Sequence, residues 1–163
     1  MQKIRHLVLG LALGMALGLA APAVTAMGAG SDPAPASRAA PADPDFAAGK
    51  QAVDARDWPT AIRHLDLAAA KDPGNADIQN YLGYAYRNSG DLQKALAAYD
   101  QALKLDPKHR GAHEYLGEAY LLQNDLPKAE EMLARLDKLC FFGCAEYTEL
   151  KNKIAAYKAR KSS

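Results

Sequence analysis

The chain has 163 residues, of which 49% are hydrophobic, and it carries 20 Lys and Arg against 19 Asp and Glu. This length suffices for one domain with a single continuous core. A net charge of +1 gives no general electrostatic reason to bind nucleic acid or an anionic membrane, so neither is expected as a partner.

The first 26 residues have the order of a cleavable export signal. Lys3 and Arg5 give a basic start, an apolar run covers residues 7–20, and small residues at Val24 and Ala26 precede the expected cut after Ala26. The apolar run is shorter than the ~20 residues that cross a bilayer, which disfavours a retained membrane helix. We therefore expect an exported protein, located in the bacterial periplasm.

A segment rich in Pro, Ala and Gly follows the expected cut. Residues 27–43 lack large apolar side chains except for the Met at their start. Such a composition cannot bury enough apolar surface to fold, and it is typical of a flexible linker. The sequence therefore predicts a disordered tether over residues 27–43 and a folded domain over residues 44–160.

The folded part repeats itself at a spacing of 34 residues. A fixed period of this length is typical of a helical solenoid, in which each unit contributes a pair of helices. We place the units at about residues 42–75, 76–109 and 110–143. The residues that recur at this interval are Gly49, Gly83 and Gly117, then Asp57, Asp91 and Asp125, then Ala61, Ala95 and Ala129.

The second unit shows the helical pattern most clearly. Apolar residues recur there at helical spacing, which predicts helices from Ile78 to Asn88 and from Gln93 to Leu105. Gly83 and Ala95 are small, and we expect them to let the two helices cross closely.

The turns between the two helices of each unit also repeat. Gly90 and Asn124 fit the left-handed backbone at which a helix commonly ends, whereas Arg56 departs from this pattern in the first unit. Aspartate follows each of these residues, and an aspartate there caps the next helix through its carboxylate. The expected caps are Asp57, Asp91 and Asp125.

The motifs of the second unit carry a resemblance to a known family. Residues 81–86 read Tyr-Leu-Gly-Tyr-Ala-Tyr, Gly90 precedes Asp91, and residues 105–107 read Leu-Asp-Pro. These residues resemble the tetratricopeptide repeat family. The resemblance implies an all-α fold, namely an α-solenoid of three helix-turn-helix hairpins.

Four positions depart from the pattern of that family, and one of them is Leu136, which stands where the earlier units have the small Ala68 and Ala102. Ala52 stands where the later units have Tyr, and Trp58 stands where they have Leu, so we interpret Trp58 as packing compensation rather than a ligand contact. In the third unit Phe141 replaces the closing Pro.

A further helix is predicted over residues 145–160. Its apolar residues form one narrow stripe, which suits a helix that covers the end of a solenoid. This brings the expected number of helices to about seven. The stripe consists of Tyr147, Leu150, Ile154 and Tyr157.

In the resembling family the first helix of each hairpin lines a concave groove that binds a protein or peptide. Within each unit the matching positions share one helical face that is not the core face, so we expect their side chains to be free for a partner. These positions are Phe46, Lys50, Val53 and Asp54, then Asn80, Tyr84, Arg87 and Asn88, then Glu114, Glu118, Leu121 and Leu122.

Some members of the family hold the C-terminal carboxylate of chaperone tails with basic and amide side chains. Only one of the matching positions is basic here, and this disfavours that class of ligand. The positions are Phe46, Lys50, Tyr81, Gly111 and Tyr115.

Two cysteines replace the turn that closes the earlier units. Cys140 and Cys144 flank a short loop in which Gly143 permits a tight turn, so an oxidising compartment favours a disulfide between them. Closing so small a ring stabilises a protein by about 2 kcal/mol. Two alternatives stay open: a thiol redox or metal carrier that uses this pair, and a self-assembling scaffold.

No residue pattern points to catalysis. The chain lacks a phosphate-binding Gly-rich loop, a paired-His zinc helix and a Gly-flanked Ser elbow. His109 and His113 lie four residues apart, but we interpret them as surface residues. The sequence therefore predicts a non-enzymatic adaptor or assembly factor that binds another protein or peptide, with no cofactor and no metal site.

Overall fold

A computed structural model describes residues 43–162, and all regular structure within this range is helical. This confirms the predicted all-α class and the expected count of seven helices. The predicted export signal and all but the last residue of the predicted tether lie outside the described residues. The helices are α1 (Pro44–Asp54), α2 (Trp58–Lys71), α3 (Ala76–Ser89), α4 (Leu92–Leu105), α5 (Arg110–Leu122), α6 (Leu126–Leu139) and α7 (Ala145–Lys161).

Aspartate side chains cap the second helix of every hairpin. The Oδ1 atoms of Asp57, Asp91 and Asp125 accept the backbone N–H three residues later, at 3.2, 3.1 and 3.2 Å. Each bond satisfies one N–H group that the first turn of a helix leaves unpaired. The caps predicted from the 34-residue repeat are thus confirmed.

The three turns within the hairpins share a left-handed backbone. Gly90 has φ 94°, Asn124 has φ 60°, and Arg56 has φ 57°. Arg56 adopts the conformation of its counterparts although its side chain disfavours it, at a cost of roughly 1–2 kcal/mol. The first hairpin therefore has the same left-handed turn as the other two, although Arg56 replaces the Gly or Asn found there.

The odd-numbered helices form a continuous row. Helix α3 contacts α1 and α5, and α5 also contacts α7, whereas each even-numbered helix contacts only its odd-numbered neighbours in the chain. Helices of the same kind in neighbouring hairpins therefore contact each other directly only in the odd-numbered row of the described residues, and we call this row the inner side of the stack. No helix in the described range is both long and apolar enough to cross a membrane.

Two clusters of buried residues fill the stack, one centred on α1 to α3 and one on α4 to α7. A Cβ atom added to Gly83 would come within 2.5 Å of the Tyr99 ring, so the glycine makes room for this side chain. Ala95 of α4 is fully buried. The predicted close packing is confirmed at Gly83, where the Tyr99 ring requires it, and Ala95 is buried as a residue at such a crossing must be.

Helix α7 covers the end of the stack. Its buried side chains are Leu150, Ile154 and Tyr157, three of the four residues of the predicted stripe. A Cβ atom added to Gly117 would lie 2.6 Å from the Leu150 Cδ2 atom, so the glycine makes room for this side chain. The Tyr157 hydroxyl also reaches Asn124 Oδ1 at 3.3 Å. The helix therefore packs as an end cap.

The loop before α7 exposes two phenylalanines. Phe141 and Phe142 are 87% and 98% exposed, and their rings contact each other edge to face at 5.0 Å. Because they bury almost no surface, the double change Phe141→Ser and Phe142→Ser should alter the free energy of unfolding by less than about 0.5 kcal/mol. Urea denaturation measures this, and Leu150→Ala, which should lose about 2–5 kcal/mol, is the positive control. A loss above 1 kcal/mol in the double variant would show that the rings pack against the domain.

Candidate functional site

The predicted groove residues lie on α1, α3 and α5, and all of them except Phe46, Lys50 and Leu121 line two adjoining cavities on the inner side. The first cavity has a volume of about 460 Å³ and the second about 420 Å³. The first is lined by Val53, Asp54, Arg56, Trp58, Asp77, Asn80, Tyr81, Tyr84 and Tyr115. The second is lined by Tyr84, Arg87, Asn88, Glu114, Tyr115, Glu118, Leu122, Glu149 and Lys153.

Helix α1 also carries a separate, smaller depression. Phe46, Lys50 and Asp54 line it, and only Asp54 also reaches the first cavity. The Lys50 Nζ atom lies 5.5 Å from the ring centres of Phe46 and Tyr81. Two of the predicted groove residues, Phe46 and Lys50, thus sit beside the two main cavities rather than in them.

Tyr84 and Tyr115 form the wall between the two cavities. Their ring centres lie 5.1 Å apart, and the Trp58 ring meets Tyr84 edge-on at 6.2 Å. Trp58 packs against the core, as expected, but it also lines the first cavity, a position that the sequence reasoning set aside. Tyr81 and Tyr115 also line the first cavity. The sequence indicated them only as positions that match the carboxylate-binding residues of the family, although both are aromatic at the same position of successive repeats.

A charged pair crosses the groove from α3 to α5. The Arg87 guanidinium forms an ion pair with Glu118, and it lies 5.3 Å from the Tyr84 ring centre and 5.4 Å from that of Tyr115. The side chains of Arg87 and Glu118 are only 11% and 13% exposed. Lys153 of α7 approaches Glu118 from the other side at 3.7 Å.

The expectation that all groove side chains are free for a partner is wrong for part of the set. Arg87 and Glu118 bind each other across neighbouring repeats, a pairing that a single helical face does not reveal. Val53, Asn80 and Glu114 are buried, and Leu121 packs against the core. The predicted groove residues that remain exposed are Lys50, Asp54, Asn88 and Leu122.

Glu114 is buried without an ion-pair partner in the described part of the chain. Only 9% of the residue is exposed, and this burial, together with the negative charges of Glu118, Glu146 and Glu149, raises its pKa to about 7. In the unfolded chain its pKa is near 4.5. Between these two values the folded protein holds a proton that the unfolded chain has lost, so stability falls as the pH rises through this window.

We expect Glu114→Gln to remove this dependence. Relative to the wild type, the variant should gain about 1 kcal/mol in free energy of unfolding between pH 5 and pH 8, a value reduced for the solvent that reaches the carboxylate. Burial lowers the pKa of His113 below 6.5, which acts in the opposite sense in both proteins, so only the difference between them is informative. Urea denaturation at each pH measures it. Glu131→Gln, a change of an exposed residue on α6, is the matched control. If Glu114→Gln gains no more stability between pH 5 and pH 8 than Glu131→Gln does, the raised pKa is wrongly assigned to Glu114.

The two cysteines stand at disulfide-bonding distance. Their Sγ atoms lie 2.07 Å apart and their Cα atoms 5.5 Å apart, so neither cysteine in the described range is free. Cys144 also caps α7, because its sulfur accepts the Tyr147 N–H at 3.4 Å. This arrangement weighs against a thiol carrier.

The interpretation of both histidines as surface residues is wrong. His113 is only 6% exposed, and its Nε2 atom lies 3.0 Å from the Pro107 carbonyl oxygen. His109 caps α5 through Nδ1, and its Nε2 atom lies 3.0 Å from Asp77 Oδ1 on α3. Within residues 43–162 no group of three or more His, Cys, Asp or Glu is arranged to hold a metal ion.

The sequence pattern of the tetratricopeptide repeat family matches residues 46–107 and 83–140, together more than half of the chain. The chain belongs to the tetratricopeptide repeat family. No curated protein is similar enough to this chain to count as a match.

Solved structures show the same tetratricopeptide repeat fold. The TPR2B domain of yeast Sti1 in complex with pHsp70 has a TM-score of 0.66 and 17% identity, and the match covers 71% of this chain and 94% of that one. PcrH in complex with the chaperone binding region of PopD has a TM-score of 0.64 and 22% identity, covering 72% and 90%. The first tetratricopeptide repeat domain of Spaghetti (RPAP3), bound to the HSP90 peptide SRMEEVD, has a TM-score of 0.64 and 18% identity, covering 73% and 91%.

Proposed function

We propose that this tetratricopeptide repeat protein binds a segment of another protein in the groove formed by α1, α3 and α5. The observation that carries the proposal is the pair of adjoining cavities, separated by the Tyr84 and Tyr115 rings, on the side where the odd-numbered helices meet. Aromatic side chains and Arg provide most of the binding energy in protein interfaces. Trp58, Tyr81, Tyr84 and Tyr115 line the two cavities, together with Arg56 and Arg87.

The structural relatives support this proposal by analogy. Three of them are described as complexes with a protein or peptide, namely pHsp70, a region of PopD and an HSP90 peptide. Their identity to this chain is at most 22%, so the likeness extends to the fold, and the groove residues carry the rest of the argument.

The protein is proposed to act in the bacterial periplasm, as an adaptor or assembly factor without enzymatic activity. The order of basic, apolar and small residues in positions 1–26 supports export, and the Cys140–Cys144 pair suits an oxidising compartment. Release of the protein by osmotic shock, with an N-terminus after Ala26, tests the location. Retention in the cytoplasmic fraction with the first residues intact would contradict it.

Site-directed photo-crosslinking in the producing cells tests groove binding. A benzoylphenylalanine at position 122 replaces a leucine that is 61% exposed and lines the second cavity. We expect it to give a discrete crosslinked product that mass spectrometry identifies. Leu67 on α2 is the matched control, because it is a leucine with 46% exposure that lines neither main cavity.

The two positions separate the outcomes. A product at position 122 and none at position 67 supports binding through the groove. Equal products at both positions, or a product at position 67 alone, would contradict it. A product at position 122 that consists of a second copy of this chain would favour the self-assembling scaffold over the adaptor.

A further inference from the structure

We propose that the first cavity takes the positively charged side chain of a Lys or Arg residue in the bound segment. This inference rests on the proposed groove function and adds the chemistry of its partner. It follows from three features of the cavity: its aromatic walls, its carboxylates and a buried amide with an unused acceptor.

The walls of the first cavity are largely aromatic. Trp58 and Tyr84 meet edge-on, Tyr84 and Tyr115 stand 5.1 Å apart, and Tyr81 completes the lining. A cation over the face of such rings is attracted by their negative π-surface, most strongly by Trp. The protein already uses this interaction beside the cavity, where Arg87 lies over both Tyr84 and Tyr115.

Carboxylates outnumber cations in the lining of the first cavity. Asp54 is exposed and forms no ion pair in the described range, and Asp77 meets only His109. Arg56 is the one cation in the lining, and it is exposed at the turn after α1. A positively charged side chain that enters the first cavity is therefore surrounded by four aromatic rings, two carboxylates and a single cation.

The buried amide of Asn80 supplies an independent observation. Asn80 is 7% exposed and lines the first cavity, yet its Oδ1 atom has no hydrogen-bond partner within residues 43–162. A buried acceptor without a donor costs roughly 1–3 kcal/mol. The Oδ1 atom is itself shielded from solvent. If the amide turns toward the cavity, a cationic side chain, which carries several donors and no acceptor, supplies the missing donor.

The second cavity extends a surface of the same sign. Glu114, Glu118 and Glu149 line it together with Arg87 and Lys153, and both cations already pair with Glu118. Glu114 and Glu149 thus remain without ion pairs in the described part of the protein. A segment that continues from the first cavity into the second therefore meets the negative charge of Glu149, and Glu114 adds charge only above its raised pKa of about 7, which together favour a basic partner over an acidic one.

Trp58 makes the proposal directly measurable, because it is the only tryptophan of the chain. The probes are blocked peptides of one Ala-Ser scaffold that differ at a single central residue, which is Arg, Lys, norleucine or Glu. We expect the Arg and Lys peptides to change the Trp58 emission with saturation and to bind about tenfold more tightly than the norleucine peptide. The Glu peptide should bind most weakly.

Two variants at the edge of the cavity should move the affinity in opposite directions. Asp54→Asn removes an exposed carboxylate and should weaken binding of the Arg peptide severalfold. Arg56→Asn removes the opposing cation and should strengthen binding, and Asn124 shows that asparagine adopts the required left-handed turn. Asp100→Asn, an exposed change on the outer helix α4, is the matched control and should leave the affinity unchanged. Circular dichroism confirms that each variant is folded.

The outcomes distinguish this inference from the proposed function. Equal binding of the norleucine and Arg peptides, preference for the Glu peptide, or no change of Trp58 emission with any peptide would overturn the cationic preference. If position 122 still crosslinks a partner in cells, groove binding stands and only the chemistry assigned to the first cavity is wrong. If position 122 gives no product, the groove function itself fails.

Discussion

Gly83→Ala should lower the free energy of unfolding by about 2–3 kcal/mol, although this change usually stabilises a helix. The added Cβ atom would lie 2.5 Å from the Tyr99 Cε1 atom and 2.6 Å from its Cδ1 atom. Tyr99 is fully buried and cannot swing into solvent, so either the ring or the α3–α4 pair must shift. Urea denaturation followed by circular dichroism measures the loss.

Gly74→Ala provides the matched control for this prediction. Gly74 lies in the turn between α2 and α3, and the nearest atom to an added Cβ there is Asp72 Oδ1 at 3.9 Å. The change should therefore be neutral or slightly stabilising. A loss at Gly83→Ala no greater than that at Gly74→Ala would show that the helices of the second hairpin are not as close as the structure places them.

The helices and their caps were predictable from the sequence because their causes are local. An aspartate at a helix start bonds a backbone group three residues away, and the 34-residue spacing showed the same signal at Asp57, Asp91 and Asp125. The left-handed turn at Arg56 was harder to predict, since the residue itself disfavours that backbone. There the stacking of the helices on either side determines the turn against the local preference.

The candidate site was only partly predictable because its contacts join different repeats. Helical spacing placed Arg87 and Glu118 on inner faces, but not facing each other across 31 residues of chain. It gave no reason to place Tyr115 beside Tyr84, because ring contacts depend on how far neighbouring hairpins rotate. The same limit explains why the buried state of Asn80 was missed.

Removing the disulfide should lower the free energy of unfolding by about 2 kcal/mol, the value expected for so small a ring. The double variant Cys140→Ser and Cys144→Ser removes the disulfide crosslink between the end of α6 and the start of α7. The serine at position 144 keeps an oxygen that accepts the Tyr147 N–H, as the sulfur does now. The loss therefore reports the link itself rather than the helix cap.

The effect should concentrate in α7, because this helix packs against the stack along one face only. Leu150 packs against Gly117, and Tyr157 reaches Asn124, whereas no further hairpin covers the outer face of the helix within the described residues. Amide hydrogen exchange in α7 should therefore accelerate in the serine variant, while exchange in α1 to α4 stays the same. Dithiothreitol should weaken the wild type to the level of the variant and leave the variant unaffected. If the unreduced wild type is no more stable against unfolding than the variant, the cysteines do not brace the end of the solenoid. If alkylation finds free thiols in the purified protein, the thiol-carrier alternative gains support.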